Sequence, residues 1–341
     1  MFNYSNLAYA YGQPEAHGQL KNSPEDFIVE EQLGFSLTGE GEHLFLFIEK
    51  RGLNTEEVIK SLARLLQRPA KTISYAGLKD RQATTRQWIS IHCPGEVIEN
   101  PDSLMAEGWR VLNSSRHNKK LKTGALSANT FQLVIRDIDL IDRVNLRLEQ
   151  VKRFGVPNYF GEQRFGYQGQ NLVKAQQLLL ENVKIKDRFL RGMYYSAARS
   201  LLFNLILSKR IEKQLWNKAI AGDVMQLSGT HSIFTAAEID EEIIQRVNDM
   251  DLSPAAPLWG KGEEKACGEA QALQQSVLHD YQSWCDALER HDLQRAYRSL
   301  RLPVGDFSWQ WSDNHLTMQF TLVAGSYATS VVRELVDVRA G

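Results

Sequence analysis

The last strong alternation in the chain constrains the fold more than any other feature. His315-Leu316-Thr317-Met318-Gln319-Phe320-Thr321-Leu322 puts Leu316, Met318, Phe320 and Leu322 on one face, the two-residue period of a half-buried strand. A strand so late in the chain needs a sheet to join, because alone it would leave its backbone groups unpaired. The preceding stretch does not offer one. From Asn171 to Arg301 the apolar residues recur at helical spacing, most clearly over 197–207, 237–247, 269–287 and 292–300. Strand patterns lie instead near the N-terminus, at 27–31, 43–48, 72–75, 87–92, 109–112 and 129–136. One helix interrupts them, capped by Asn54, with Val58, Ile59, Leu62, Ala63, Leu65 and Leu66 on its apolar face. The last strand is therefore expected to join the N-terminal sheet, with a helical unit inserted between. A second helix face, Ile141, Val144, Leu148, Val151 and Phe154, ends at Gly155, a natural C-terminal cap. Residues 1–154 and 304–341 are expected to form one domain and residues 155–303 the inserted one. The predicted class is α+β: a mixed, mainly antiparallel sheet with flanking helices, plus an inserted, mainly helical α/β domain. A chain of 341 residues is long enough for both.

Between two of the N-terminal strands lies Gly77-Leu78-Lys79-Asp80-Arg81-Gln82-Ala83-Thr84. Asp80 has a cation on each side, and a carboxylate so flanked stays ionised. Carried on the ends of rigid strands, it is a candidate nucleophile or base. The same residues also read as a solvated turn, since charged turns are common.

The formal net charge is −1, so a nucleic-acid partner must be held by local patches and not by a global field. Three patches stand out. Arg116, Lys119, Lys120 and Lys122 form a basic run. Lys184, Lys186, Arg188 and Arg191 lie beside Phe189, Tyr194 and Tyr195. Arg164 sits among Tyr159, Phe160, Phe165 and Tyr167. Cations interleaved with rings suit RNA, the cations meeting phosphates and the rings unpaired bases. Any single ring also reads as core packing. The eight histidines are scattered, with no His-x-x-x-His or Cys-x-x-Cys, and no metal site is expected. Gly39-Glu40-Gly41 lacks the third glycine of a dinucleotide fingerprint, and no phosphate loop is present. The three cysteines are far apart and read as reduced thiols of a cytoplasmic protein. The start lacks a basic region followed by an apolar run, so no signal peptide is expected. No run is apolar for long enough to span a bilayer.

Several short motifs, taken in order, carry a resemblance. They are Lys21 through Glu30 with Pro24-Glu25-Asp26-Phe27, Gly39 through His43, Gly77-Leu78-Lys79-Asp80 with Ala83, Thr84 and Gln87, and Gly124-Ala125-Leu126 with Asn129 and Phe131. Val156-Pro157-Asn158-Tyr159-Phe160-Gly161 with Gln163-Arg164-Phe165-Gly166, and Gly325 through Ser330 with Val332-Arg333-Glu334-Leu335, complete the set. In this order, from about residue 18 to about 338, the chain resembles the TruD family of tRNA pseudouridine synthases.

That resemblance implies a pseudouridine-synthase catalytic domain in permuted order, carrying a family-specific insertion. It implies isomerisation of uridine-13 of tRNA to pseudouridine, with no cofactor, by a protein expected to be cytoplasmic and monomeric. Asp80 matches the catalytic aspartate. Phe27, Asn129 and Tyr327 match substrate-contacting positions, and Lys21 and Lys79 match basic residues of the same motifs. Phe131 or Phe27 can replace the stacking lost when the uridine leaves its helix. Lys21 is the expected cation that keeps Asp80 ionised. Whether Asp80 attacks the base, attacks the sugar carbon or deprotonates the sugar stays open. The chain departs from the family at Tyr327, where phenylalanine is usual, and a buried hydroxyl there needs a partner. Arg116, Lys119, Lys120, Lys122 and Arg164 are expected to contact RNA. The rival readings are a non-catalytic RNA-binding or RNA-chaperone protein and a carboxylate-dependent hydrolase, which usually needs a second acid at a defined separation.

Overall fold

The computed structural model describes residues 4–339. In chain order the strands are β1 (His17–Leu20), β2 (Phe27–Leu33), β3 (His43–Lys50), β4 (Ile73–Tyr75), β5 (Thr84–His92), β6 (Met105–Ala106), β7 (Trp109–His117), β8 (Leu126–Arg136), β9 (Val156–Pro157), β10 (Asp223–Leu227), β11 (Ile233–Ala236), β12 (Leu252–Leu258), β13 (Ala296–Ser299), β14 (Arg301–Leu302), β15 (Gly305–Ser312), β16 (His315–Val323) and β17 (Asp337–Arg339). The helices are α1 (Thr55–Leu65), α2 (Ile141–Phe154), α3 (Gln170–Leu179), α4 (Arg188–Glu212), α5 (Glu241–Asn248), α6 (Gly268–Leu278), α7 (Gln282–Arg290) and α8 (Ala328–Leu335). The chain divides into two compact units. Of the described residues, one holds 16–142, 304–325 and 337–339; the other holds 4–15, 143–303 and 326–336.

The first unit is built on an 11-stranded sheet. Its main path runs β15-β16-β8-β2-β5-β3-β7-β6, with β1, β4 and β17 pairing off it. Most neighbours are antiparallel; β2–β5 and β1–β17 are parallel. The late strand β16 pairs with β8 from the N-terminal part, Phe320 opposite Phe131. It also has a second neighbour that periodicity missed, β15, with Trp309 opposite Met318. The Asn54 N–H donates to the Glu57 carboxylate at 2.6 Å, which closes the start of α1. Val58, Ile59, Leu62 and Ala63 of α1 then pack with Leu44, Leu46, Ile48, Ile89 and Ile91 of the sheet.

The second unit is less helical than its apolar spacing implies. It contains a four-stranded sheet in the order β11-β10-β12-β13. Residues 292–300 are not a helix; 296–299 are β13, paired with β12. Leu293, Ala296 and Leu300 have helical spacing, but a neighbouring strand's ladder overrides that weak local preference. Strand β12 escapes notice because Pro254 and Pro257 interrupt it, and proline ordinarily argues against a paired strand. The pattern over 269–287 is two helices, α6 and α7, broken by a 3-10 turn at His279–Tyr281.

Three segments that the sequence groups with the N-terminal sheet pack instead with residues 155–303: 4–15, 143–154 and 326–336. The Tyr159 hydroxyl donates to the Ala8 carbonyl at 3.1 Å, and the Ser330 hydroxyl donates to the Tyr159 carbonyl at 3.1 Å. Glu334, fully buried, accepts from the Tyr11 N–H at 3.3 Å. Burial pushes its carboxyl up to about 7. Gly155 has φ +72°, and a Cβ there would meet the Leu302 carbonyl, so this junction requires glycine. Among the described residues, no helix is long and apolar enough to cross a membrane.

Candidate active site

Asp80 lies on the short connection between β4 and β5. Its Oδ2 accepts from Lys21 Nζ at 2.7 Å, and its Oδ1 accepts from the Gln82 N–H at 3.1 Å. A second lysine holds the connection itself: Lys50 Nζ donates to the carbonyls of Asp80 and Leu53, both at 2.8 Å. Lys50 is fully buried, whereas the Asp80 side chain remains 34% exposed. Burial works against the charged Asp80 carboxylate. The Lys21 and Gln82 hydrogen bonds, with the charges of Lys21 and Lys50, outweigh it and hold the group below the ordinary carboxylate value. Burial likewise pushes Lys50 down, to about 8, with the Asp80 charge opposing. Lys21 reaches Asp80 from a left-handed backbone, φ +64°, and its ammonium lies 4.4 Å from the centre of the Phe27 ring.

The two cations beside Asp80 in sequence are therefore not the ones that hold it. Lys79 turns to Glu31, Nζ to Oε1 2.5 Å, and Arg81 donates to the Gly52 carbonyl at 2.9 Å. Lys79, expected to contact substrate, is thus engaged with an internal carboxylate. Its backbone N–H donates to the Thr55 hydroxyl at 3.0 Å, and that hydroxyl donates to Gln87 Oε1 at 3.0 Å.

The register of three strands gathers the remaining site residues on one sheet face. Val29 is opposite both Phe131 and Thr85, and Glu31 is opposite Asn129. Phe27 and Phe131 meet edge to face at 6.3 Å, and Phe131 stacks on Phe320 at 5.5 Å. Phe131 is thus packed into this face. Beside it, buried polar atoms remain without a hydrogen-bond partner: Glu31 Oε1, Thr85 Oγ1, Gln87 Nε2 and Asn129 Oδ1. Glu31 Oε1 has Lys79 within ion-pair distance, but without hydrogen-bond geometry. Burial pushes the Glu31 carboxyl up, and Lys79 offsets this only in part. Each such atom costs roughly 1–3 kcal/mol in a finished core. With Glu31 paired to Lys79, the other three, Thr85 Oγ1, Gln87 Nε2 and Asn129 Oδ1, mark a face suited to a polar ligand or ordered water.

Tyr327 belongs to the other unit, where it is the residue preceding α8. Tyr327 is half-buried, and its hydroxyl has a partner: Arg164 Nε donates to it at 3.0 Å, while Arg164 Nη1 donates to the Ser196 hydroxyl at 3.0 Å. A Cβ on Gly161 would lie 3.2 Å from the Tyr327 ring and 2.8 Å from the Thr329 hydroxyl, so glycine admits the ring. Arg164 is occupied inside its own unit. Arg116 is likewise no member of a solvated run. It ends β7 with His117, and its guanidinium donates to the Gly41 carbonyl at 2.9 Å and to that of Glu96. Lys119, Lys120 and Lys122 are exposed around the buried Leu121.

Lys50, Thr55, Glu31 and Gln87 went unassigned by sequence reasoning. One signal was available for Lys50. Leu44, Leu46 and Ile48 face inward on β3, and Lys50 continues the same alternation. A lysine at an inward position requires buried acceptors. Among the described residues, no group of three or more His, Cys, Asp or Glu could hold a metal ion.

Comparison with known proteins gives a consistent picture. The family described as tRNA pseudouridine synthase D (TruD) matches residues 4–185 and 170–335. A tRNA pseudouridine synthase D of Legionella pneumophila (strain Corby) is 49% identical over 329 residues, 96% of this chain and 97% of that protein. The corresponding protein of Colwellia psychrerythraea is 44% identical over 340 residues, covering 97% and 92%. A crystal structure from Methanosarcina mazei, described as a candidate tRNA pseudouridine synthase D, superposes with a TM-score of 0.72 at 22% identity, covering 97% of this chain and 96% of its own. At that identity the likeness speaks for the fold: α+β with mainly antiparallel sheets.

Proposed function

The chain belongs to the TruD family of tRNA pseudouridine synthases, and from that membership we propose that it isomerises uridine-13 of tRNA to pseudouridine, with Asp80 as the reacting carboxylate. The observation that carries the assignment is the Lys21–Asp80 pair. It is short and half open to solvent, and it sits beside a sheet face with unpaired acceptors. An acid held below its ordinary value is ionised throughout the physiological range. It is therefore ready to act as a nucleophile or base.

The uridine must leave its stack before the carboxylate can reach it. Asn129 Oδ1, an acceptor without a partner, suits the N3–H donor of an extruded uracil. Phe27 carries the Lys21 ammonium over its ring, which ties the aromatic wall of the site to the charge that steadies Asp80. The C1′–N1 bond then breaks, the uracil turns, and a C1′–C5 bond forms. C5 loses its proton and N1 gains one, so the mass is unchanged and no cofactor takes part. Water must stay away from the freed base during the turn. Tyr327 is assigned to the nucleotide on its motif alone, and Lys119, Lys120 and Lys122 to phosphates on their exposure and charge. The enzyme would work in the cytoplasm, where tRNA is modified, as a monomer.

The deciding experiment incubates the protein with unmodified tRNA and maps carbodiimide-reactive uridines. A new reactive uridine at position 13, absent with Asp80→Asn while tRNA binding persists, is the expected result. A chain that only binds tRNA would yield none with either protein.

A further inference from the structure

The second unit carries a cleft of about 870 Å³ that the proposed chemistry does not use. Leu178 and Leu293 are among its apolar lining, and Lys184, Lys186, Arg188 and Arg191 contribute cations. Two rings, Tyr195 and His291, meet in it at 5.2 Å and 41°. No aspartate or glutamate lines it. The acid in the middle of the basic segment, Asp187, is spent locally: its Oδ1 accepts from the N–H groups of Phe189 and Leu190 and caps α4. Nearby Asp292 pairs with Lys261 at 3.0 Å. Lys184, Lys186 and Arg188 are therefore left exposed to solvent with little local compensation, while Arg191 is half-buried and donates to the Ile185 carbonyl at 3.3 Å. Phe189 beside them is 69% exposed.

We propose that this cleft binds an unpaired segment of the RNA substrate, with phosphates on Lys184, Lys186 and Arg188 and a base against the Tyr195–His291 rings. Apolar walls with rings take the flat face of a base, and a cationic rim takes its phosphates. An RNA duplex presents no exposed base face, so a single-stranded segment is the form that uses both. The identity of the nucleic acid rests on the functional reading above; the cleft and its charges do not.

The test measures binding of a fluorescein-labelled hexauridylate, and separately of tRNA, to the full chain in an Asp80→Asn background. Turnover then plays no part, and a failure of the uridine-13 assignment leaves this readout untouched. Lys184→Glu with Arg188→Glu should weaken hexauridylate binding at least roughly tenfold and flatten its salt dependence. Tyr195→Ala should weaken it roughly fivefold or more, with Tyr195→Phe restoring it. Circular dichroism establishes that each variant is folded, and Lys184→Arg with Arg188→Lys should bind as the parent does. Wild-type affinity in the charge-reversed variant would overturn the proposal. So would equal competition by an RNA duplex, or displacement by polyglutamate at matched charge, which would mark the cleft as a site for acidic peptides.

Discussion

Each unit holds a short acid–base pair at 2.7 Å, Lys21–Asp80 in the first and Arg210–Asp223 in the second, and the two are built to opposite ends. The Arg210–Asp223 pair is bidentate, at 2.7 and 3.1 Å, and both side chains are nearly sealed from solvent. Its spare donors are matched by the carbonyls of Leu215 and Lys218, and the Ile220 N–H completes the carboxylate. Even so, burial pushes the Asp223 carboxyl above its ordinary value, against the pull of Arg210. Asp80 has fewer donors, yet its carboxyl lies below the ordinary value. The difference is solvent. A sealed pair loses in desolvation much of what its partner returns, whereas a half-open pair keeps its hydration and its charge. Saturation suits a brace; an ionised, accessible oxygen beside unpaired acceptors suits the reacting role proposed for Asp80.

The sharpest test of that contrast is Asp80→Asn. The amide keeps an acceptor for Lys21, so the thermal midpoint should hardly move. The rate of pseudouridine formation should fall roughly a thousandfold or more, the scale of losing a reacting group. If instead stability collapsed and the residual enzyme stayed active, Asp80 would be the brace. Asp223→Ala should behave in the opposite way. It leaves Arg210 buried without its counter-charge and should cost about 3–5 kcal/mol in denaturant unfolding, with turnover per folded molecule intact.

A smaller effect comes from Lys21→Met, which should move the acid limb of the pH–rate profile. In the parent, activity is lost only below the ordinary carboxylate range, because the folded value is depressed. Without Lys21, burial is opposed only by the Gln82 N–H and by Lys50, so the limb must shift to higher pH. An unmoved limb would show that another group sets it. The least effect is expected from Tyr327→Phe, which removes the acceptor of the Arg164 hydrogen bond. A loss of about 1 kcal/mol of stability is expected, and calorimetry showing no loss would mean that Arg164 finds another acceptor.

Asp80 and Lys21 were legible as a pair only through the motifs that carry both. The residues around Asp80 pointed to Lys79 and Arg81, and both turn elsewhere. Asn129 and Phe131 were expected at the site from the motifs alone, and strand register puts them on one face with Glu31 and Val29. In the second unit, prolines hid β12 and helical spacing disguised β13. A signal carried by one strand fails when its partner, dozens of residues away, decides the pairing.

Taken alone, the residue order determined what short-range repetition can encode: where strands alternate, where α1 begins and α2 ends, and that the strand at 315–322 needed a sheet from elsewhere in the chain. Tertiary structure alone decided which cation meets which acid. Lys21 is 59 positions from Asp80, and Lys50 is 30 from the carbonyl it braces. Those contacts follow from the register of β2, β3 and β5 and from the path of one loop, and neither is written in the spacing of neighbouring residues.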